Sequence, residues 1–365
     1  MASSTLQKSY PWTQTPLIIN GPMGGFAGPE LAAAVTNAGG IGFIAGGLDL
    51  SALDKQIGTY RTLLAPHIND AYPTTTTSSS TDGKDNDTVL PVGLGFLCFG
   101  APLADAAALV AKHRPAAAWL FAPPQLADHA TWARALRHAS PRTQIWVQTG
   151  GVGAALQVAR EAQPDVLVLQ GADAGGHGFE RGAGIVSLLP EAADALAEAG
   201  CGGGIRLVAA GGIVEGRGAA AALALGAEGV VMGTRFLACE EVVHEGYRRL
   251  ILEARDGGQR TVRSKAFDEA RPGGNCWPEI YDGRGIENRT YADFLKGVEG
   301  DELRRLHAES QKNGKIAGFG EEELRVTVWA GTGVGLVKEI LPAGKIVEDV
   351  REGARKVLKN LSAQL

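Results

Sequence analysis

The sequence predicts an α/β fold, a (β/α)8 TIM barrel with a helical insertion over the C-terminal barrel face. Three observations predict it. Eight short apolar runs alternate with eight helical stretches, the pattern of a parallel sheet closing on itself. The 51 glycines, about twice ordinary usage, gather at the ends of those runs, where tight strand-to-helix junctions fall. An open doubly wound sheet normally carries a dinucleotide fingerprint after its first strand, and Gly21-Pro-Met-Gly-Gly25 is not one. The length of 365 residues suits one large α/β barrel or two ordinary domains.

The elements follow in order. Residues 16–20 are an apolar strand that ends in a turn, and the helix over 29–37 is stopped by Gly39-Gly40. A second strand over 41–44 leads to a helix over 50–64. Residues 72–88 are a run of Thr, Ser, Asp and Asn that builds no core, and they are expected to form a flexible surface insertion. Strand and helix then repeat over 91–97 and 103–112, 117–121 and 126–138, 144–148 and 152–161, 166–170 and 187–199, and 205–210 and 217–225. The eighth strand is 229–232, and the helix that opens at Glu240 is counted as its partner.

After Glu240 the texture changes. Residues 242–255 read as an amphipathic helix, 271–289 as glycine- and turn-rich chain around Trp277-Pro278, and 291–312 as charged helix. Residues 1–240 and 326–365 are therefore expected to form the barrel, and 241–325 a helical substrate or lid domain. Residues 326–336 return to glycine-rich loop, and 346–361 form a closing helix.

Charge and composition exclude several roles. A net charge of −5 with no basic stripe argues against nucleic acid as a partner. Cys98, Cys201, Cys239 and Cys276 have neither CxxC spacing nor the density of a disulfide scaffold, so free thiols in an intracellular, cytoplasmic protein are expected. Residues 1–14 lack an apolar signal core. The run 218–231 is too short to span a bilayer and contains Glu228, so no membrane association is expected. The C-terminal Ser-Ala-Gln-Leu is not a clear address signal. Whether copies of the chain form a homo-oligomer is left open.

In such a barrel the chemistry lies at the C-terminal strand ends, here Asn20/Gly21, Ala45, Cys98, Ala122, Gln148, Gln170, Ala210 and Gly233. No lysine stands there for a Schiff base, and no His/Asp/Glu cluster stands there for a metal. A site so poor in its own chemistry suggests a cofactor. The richest end is Val166-Leu-Val-Leu-Gln-Gly-Ala-Asp-Ala-Gly-Gly-His-Gly-Phe-Glu180, a buried strand that opens into a glycine loop around His177. His177 titrates near neutral pH, so it fits either a catalytic histidine beside a flavin or an ordinary hydrogen-bonded loop residue. Asp173 could orient it or cap a turn.

Gln148 and Gln170 end neighbouring strands and offer the donor and acceptor that a flavin's pyrimidine edge requires, or else bond to backbone. Gly211, Gly212, Gly233 and Thr234 follow strands seven and eight. They suit a phosphate cradle built from backbone N–H groups and a helix N-terminus, or they serve only tight turns. Trp277, Tyr281 and Phe267 fit a lid wall or a purely structural role.

With these residues in place, the chain resembles the nitronate monooxygenase family, formerly called 2-nitropropane dioxygenases. The matching pieces are Asn20-Gly-Pro-Met-Gly-Gly25, Val35-Thr-Asn-Ala-Gly-Gly-Ile-Gly-Phe43, Gln170-Gly-Ala-Asp-Ala-Gly-Gly-His-Gly178, Ala209-Ala-Gly-Gly-Ile213 with Gly216-Arg-Gly218, and Gly229-Val-Val-Met-Gly-Thr-Arg-Phe236. Trp329-Ala-Gly-Thr-Gly-Val-Gly335 is similar to the family's C-terminal glycine-rich segment. The resemblance implies FMN as cofactor and the oxidation of alkyl nitronates by O2 to carbonyl compound and nitrite, a role in nitroalkane detoxification. It implies that Pro22, Met23 and Gly24 pass beside the flavin ring and that Gln170, Gly175 and Gly176 contact it. It further implies that Gly212 and Val231, Met232, Gly233 and Thr234 hold the phosphate, and that His177 is the catalytic histidine. A flavin-dependent enoyl-thioester reductase that uses NAD(P)H shares the barrel and the Ala-Gly-Gly-His element. A specialised flavin oxidase or a non-catalytic flavin-binding protein would also fit these residues.

Overall fold

A computed structural model describes residues 5–72, 89–312, 318–320 and 324–364. The polar stretch expected to form a surface insertion lies, but for Tyr72, outside the described residues. The strands are β1 (Leu17–Asn20), β2 (Phe43–Ala45), β3 (Leu90–Leu97), β4 (Pro115–Phe121), β5 (Gln144–Thr149), β6 (Val166–Gln170), β7 (Gly176–Phe179), β8 (Arg206–Ala210), β9 (Gly229–Met232), β10 (Thr261–Ser264) and β11 (Tyr281–Ile286).

Eight of them form one parallel sheet in the order β1-β9-β8-β6-β5-β4-β3-β2, with helices on the connections. The seam between β1 and β2 nearly closes the ring. Ile19 and Ile41 form a single parallel bridge across it. The buried Asn20 side chain does the work of a missing ladder step. Its amide donates to the Phe43 carbonyl at 2.9 Å, and its carbonyl accepts the Phe43 N–H at 2.9 Å. A side-chain amide carries the same donor and acceptor as a peptide group, so it can stand in for one.

Strand residues alternate between two cores. Inward side chains such as Phe43, Trp119, Trp146, Val166, Val168 and Val208 fill the barrel. Outward ones such as Ile18, Leu94, Leu120, Val147, Leu167 and Val230 pack beneath the helices. At the N-terminal end, Leu6 and Tyr10 join the inner core, and the Trp146 indole donates to the Tyr10 hydroxyl at 2.7 Å. With that end plugged, the space for a ligand lies at the other.

Two expectations need correction. The eighth helix of the ring is the C-terminal one, Ala343–Ser362, which packs against the helices Gly216–Ala224 and Pro29–Asn37. Its buried Arg351 donates to the carbonyls of Pro16 (3.2 Å), Ala38 and Gly39 (2.9 Å each). The helix expected to open at Glu240 runs Glu245–Glu253, and its Tyr247, Leu250 and Ile251 face a separate cluster with Val328 and Val334. The stretch 241–325 is also not purely helical: β10 and β11 pair antiparallel within it, and β11 continues onto β7. That pairing turns part of the glycine loop after β6 into a strand.

Candidate active site

The C-terminal ends of the strands open into a cavity of about 630 Å3, within the range of cofactor and small-molecule sites. Almost every residue singled out from the sequence lines it. From the turn after β1 come Pro22, Met23 and Gly24; from β5 and β6 come Gln148 and Gln170. Gly175, Gly176 and His177 come from the following loop and β7; Gly211 and Gly212 follow β8; Val231, Gly233 and Thr234 belong to β9 and the turn after it. Among the candidate cofactor contacts, Met232 is the exception. Its side chain is fully buried and faces the helix layer, because alternate residues of a strand point to opposite faces. Of the lid candidates, Trp277 lines the cavity, while Tyr281 and Phe267 are fully buried behind it.

One wall offers free backbone donors. The N–H groups of Gly211, Gly212, Gly233 and Thr234 bond to no group among the described residues. Gly211 (φ 103°) and Gly212 (φ 73°) adopt left-handed backbone, which glycine reaches without strain. The N-terminus of the helix Gly216–Ala224, capped by Glu215 whose carboxylate accepts the Gly218 N–H at 3.3 Å, does not line the cavity. The donors are therefore loop amides alone.

The two glutamines are held in complementary ways. The Gln148 carbonyl oxygen accepts the Trp119 indole N–H at 3.0 Å, which leaves its NH2 as the free end. The Gln170 NH2 donates to the His177 carbonyl at 3.1 Å, which leaves its oxygen as an acceptor.

His177 lies on β7 opposite Gly283 of β11. Its Nε2 bonds to Asp268 Oδ2 at 2.9 Å and Oδ1 at 3.0 Å. The imidazole stacks on Trp277, with centroids 3.7 Å apart and planes within 11°, and Trp329 tilts against it at 4.6 Å. Burial pushes the His177 pKa below the usual histidine range; the Asp268 hydrogen bond opposes that fall, and Arg271 and Arg263 add to it. The lowered pKa favours the neutral ring near pH 7.

Asp173 does not orient it. Asp173 Oδ1 accepts the Thr332 hydroxyl at 2.9 Å, and its carbonyl accepts the Thr332 N–H at 3.0 Å. Gly331 donates to the Thr234 hydroxyl at 3.0 Å, so the segment after Trp329 is stitched across the loops that follow β6 and β9. Asp268 and Trp329 went unassigned in the sequence. Asp268 stands 91 residues from His177, and no local spacing links them. The Trp329-Ala-Gly segment was visible as a motif, but not its contact with the imidazole.

Such an arrangement can hold an anion on uncharged donors, bond to the edge of a planar heterocycle, and present one neutral imidazole. Asp268 and Arg271 are the charged side chains among the described lining residues.

The family model for nitronate monooxygenase matches residues 8–70 and 137–353. The chain is 44% identical to the nitronate monooxygenase npaC of Metarhizium robertsii over 99% of its length and 97% of that protein's. It is 37% identical to a nitronate monooxygenase of Neurospora crassa, with 99% and 95% covered. In fold it is similar to FabK from Thermotoga maritima (TM-score 0.73, 24% identity, all of both chains). It is likewise similar to a nitroalkane oxidase from Streptomyces ansochromogenes (TM-score 0.71, 24% identity, 98% and 100% covered). A family match over most of the chain and two near-full-length relatives lead to one conclusion: the chain belongs to the nitronate monooxygenase family of oxidoreductases.

Proposed function

We propose that the protein binds FMN in this cavity and oxidises alkyl nitronates with O2 to a carbonyl compound and nitrite. The observation that carries this reading is the buried His177, bonded to Asp268 and stacked on Trp277, lining a cavity whose opposite rim is built of amides, glycine backbone and apolar side chains. The donor set fits FMN. Gly211, Gly212, Gly233 and Thr234 would hold the phosphate through backbone N–H groups. Gln148 would donate to the ring's pyrimidine edge and Gln170 would accept from it. Pro22, Met23, Gly24, Gly175, Gly176 and Val231 would pack on the ring. Residues 1–240 with 326–365 would form the FMN-binding unit, and 241–325 would cover the substrate.

When bound, the flavin accepts electrons from the substrate and passes them to O2. A nitronate is already an anion, so it needs no strong base. His177 would take the α-proton when the substrate arrives as a neutral nitroalkane. The partners are thus small molecules. The described residues include no helix long and apolar enough to cross a membrane, and their four cysteines are free, which suits a cytoplasmic setting.

The test is an anaerobic visible-absorbance titration with an alkyl nitronate in one cell and NAD(P)H in the other. A flavin spectrum that changes with nitronate and recovers in air is expected. Rapid bleaching by nicotinamide would transfer the chain to reductase chemistry, and no flavin after reconstitution would remove the site reading. His177→Ala is expected to keep the flavin and lose about 100-fold or more in turnover of neutral nitroalkane.

A further inference from the structure

We propose that Asp268 is a positioning residue that holds the His177 proton on Nε2, so that Nδ1 is the atom that removes the proton from a neutral nitroalkane. The inference rests on the reading of His177 as the base.

The geometry leaves little choice of tautomer. Both Asp268 oxygens lie within 3.0 Å of Nε2, and an ionised carboxylate only accepts hydrogen bonds. Nε2 must therefore carry the hydrogen, and the lone pair of the neutral ring falls on Nδ1. Nδ1 has no partner among the described residues, and His177 lines the cavity. Asp268 is itself nearly inaccessible, at 3% side-chain exposure, so water does not compete for its oxygens. The Trp277 ring, stacked within 11° of the imidazole plane, prevents the ring from turning out of that orientation.

Removal of the proton then balances simply. The C–H bond beside the nitro group breaks, its proton passes to Nδ1, and the electron pair moves onto the nitro group to give the nitronate. The imidazolium that results lies against the carboxylate and the indole face, both of which favour a cation. Four charged groups face this ring: Asp268 and Arg271 from one stretch of chain, Arg263 from β10 and Asp282 from β11. Arg263 and Asp282 neutralise one another through a hydrogen bond of 2.8 Å, and Arg271 stands 3.8 Å from Asp268 at a half-exposed position. Asp268 is thus the carboxylate bonded to the ring.

Asp268→Asn tests the role without changing the shape of the side chain. The kcat/KM for a neutral nitroalkane is expected to fall about 100-fold, while that for the preformed nitronate changes less than about threefold. The acid limb of the nitroalkane profile should move to lower pH, since the group that opposes the burial-driven fall has gone. Independently, long-range 1H–15N spectra of the 15N-histidine-labelled wild-type protein should show His177 protonated on Nε2 and bare on Nδ1. The signal is assigned by its loss in His177→Ala. A ring protonated on Nδ1, or an equal loss of both substrates with the acid limb unmoved, would overturn the proposal. If the wild type oxidised no nitronate, the proposed function would fall, while the ring spectrum would still decide what Asp268 does.

Discussion

The two rims of the cavity are built from opposite materials. The barrel rim, made by the ends of β1, β5, β6, β8 and β9, presents glycine backbone, two glutamines and apolar side chains. The rim made by residues 268–277 and 329–333 brings a carboxylate, a guanidinium and two indoles. His177 belongs to the first rim by sequence and to the second by contact, because β7 pairs with β11 and not with the barrel. The difference teaches how the work is divided. A closed parallel sheet fixes backbone donors rigidly but leaves little room for charge. The later segments, with 329–333 packed on a separate apolar cluster and Trp277 against the inner barrel core, supply the groups that set a proton's position.

The comparison breaks most severely if the barrel rim itself loosens. Asn20→Ala would leave the Phe43 N–H and carbonyl buried without partners at the β1/β2 seam. At roughly 1–3 kcal/mol for each orphaned group, about 4 kcal/mol of stability should be lost. Thermal or urea unfolding would measure it. An unchanged midpoint would mean that the seam closes without this side chain.

A smaller effect is expected where the rims meet. A Cβ on Gly175 would lie 2.4 Å from the carbonyl carbon of Ala330 and from the nitrogen of Gly331. Both are backbone atoms, so neither can swing aside. Gly175→Ala should therefore cost about 3 kcal/mol and push the Trp329 segment away from His177. Unfolding midpoints together with retained flavin would report it. A variant of wild-type stability that keeps its flavin would show that the rims can separate freely.

How much of this was legible in the sequence follows the same division. The eight barrel strands could be read because each is a compact apolar run, and β6 and β9 begin and end at the expected residues. The barrel rim could be read with them, since strand ends converge in any closed barrel; Met232 was misplaced by the strand's two-residue alternation. The second rim was not legible. In β11, Tyr281-Asp-Gly-Arg-Gly-Ile286, the two glycines look like a turn, and the segment is a strand only because β7 and β10 supply its hydrogen bonds. The same holds for Gly176–Phe179. The Asp268–His177 contact exists only after that sheet has formed. The ring's eighth helix was misassigned for a related reason: an amphipathic pattern shows that a face is buried, not against which neighbour.

The smallest effect is the one that separates the rims most cleanly. Asp173 lies four residues from His177 in the same glycine loop, and by sequence it is the natural candidate to orient the ring. Its bonds go instead to Thr332, one from the side chain and one from the backbone carbonyl. Asp173→Asn keeps the backbone bond and retains an oxygen that can accept the Thr332 hydroxyl. It should cost less than about 1 kcal/mol, the ordinary size of one side-chain hydrogen bond. Nitroalkane turnover should change by less than about threefold, with its acid limb in place. A shift of that limb comparable to the one expected for Asp268→Asn would mean that the barrel-side carboxylate also controls the imidazole, and the division between the rims would fail at its central residue.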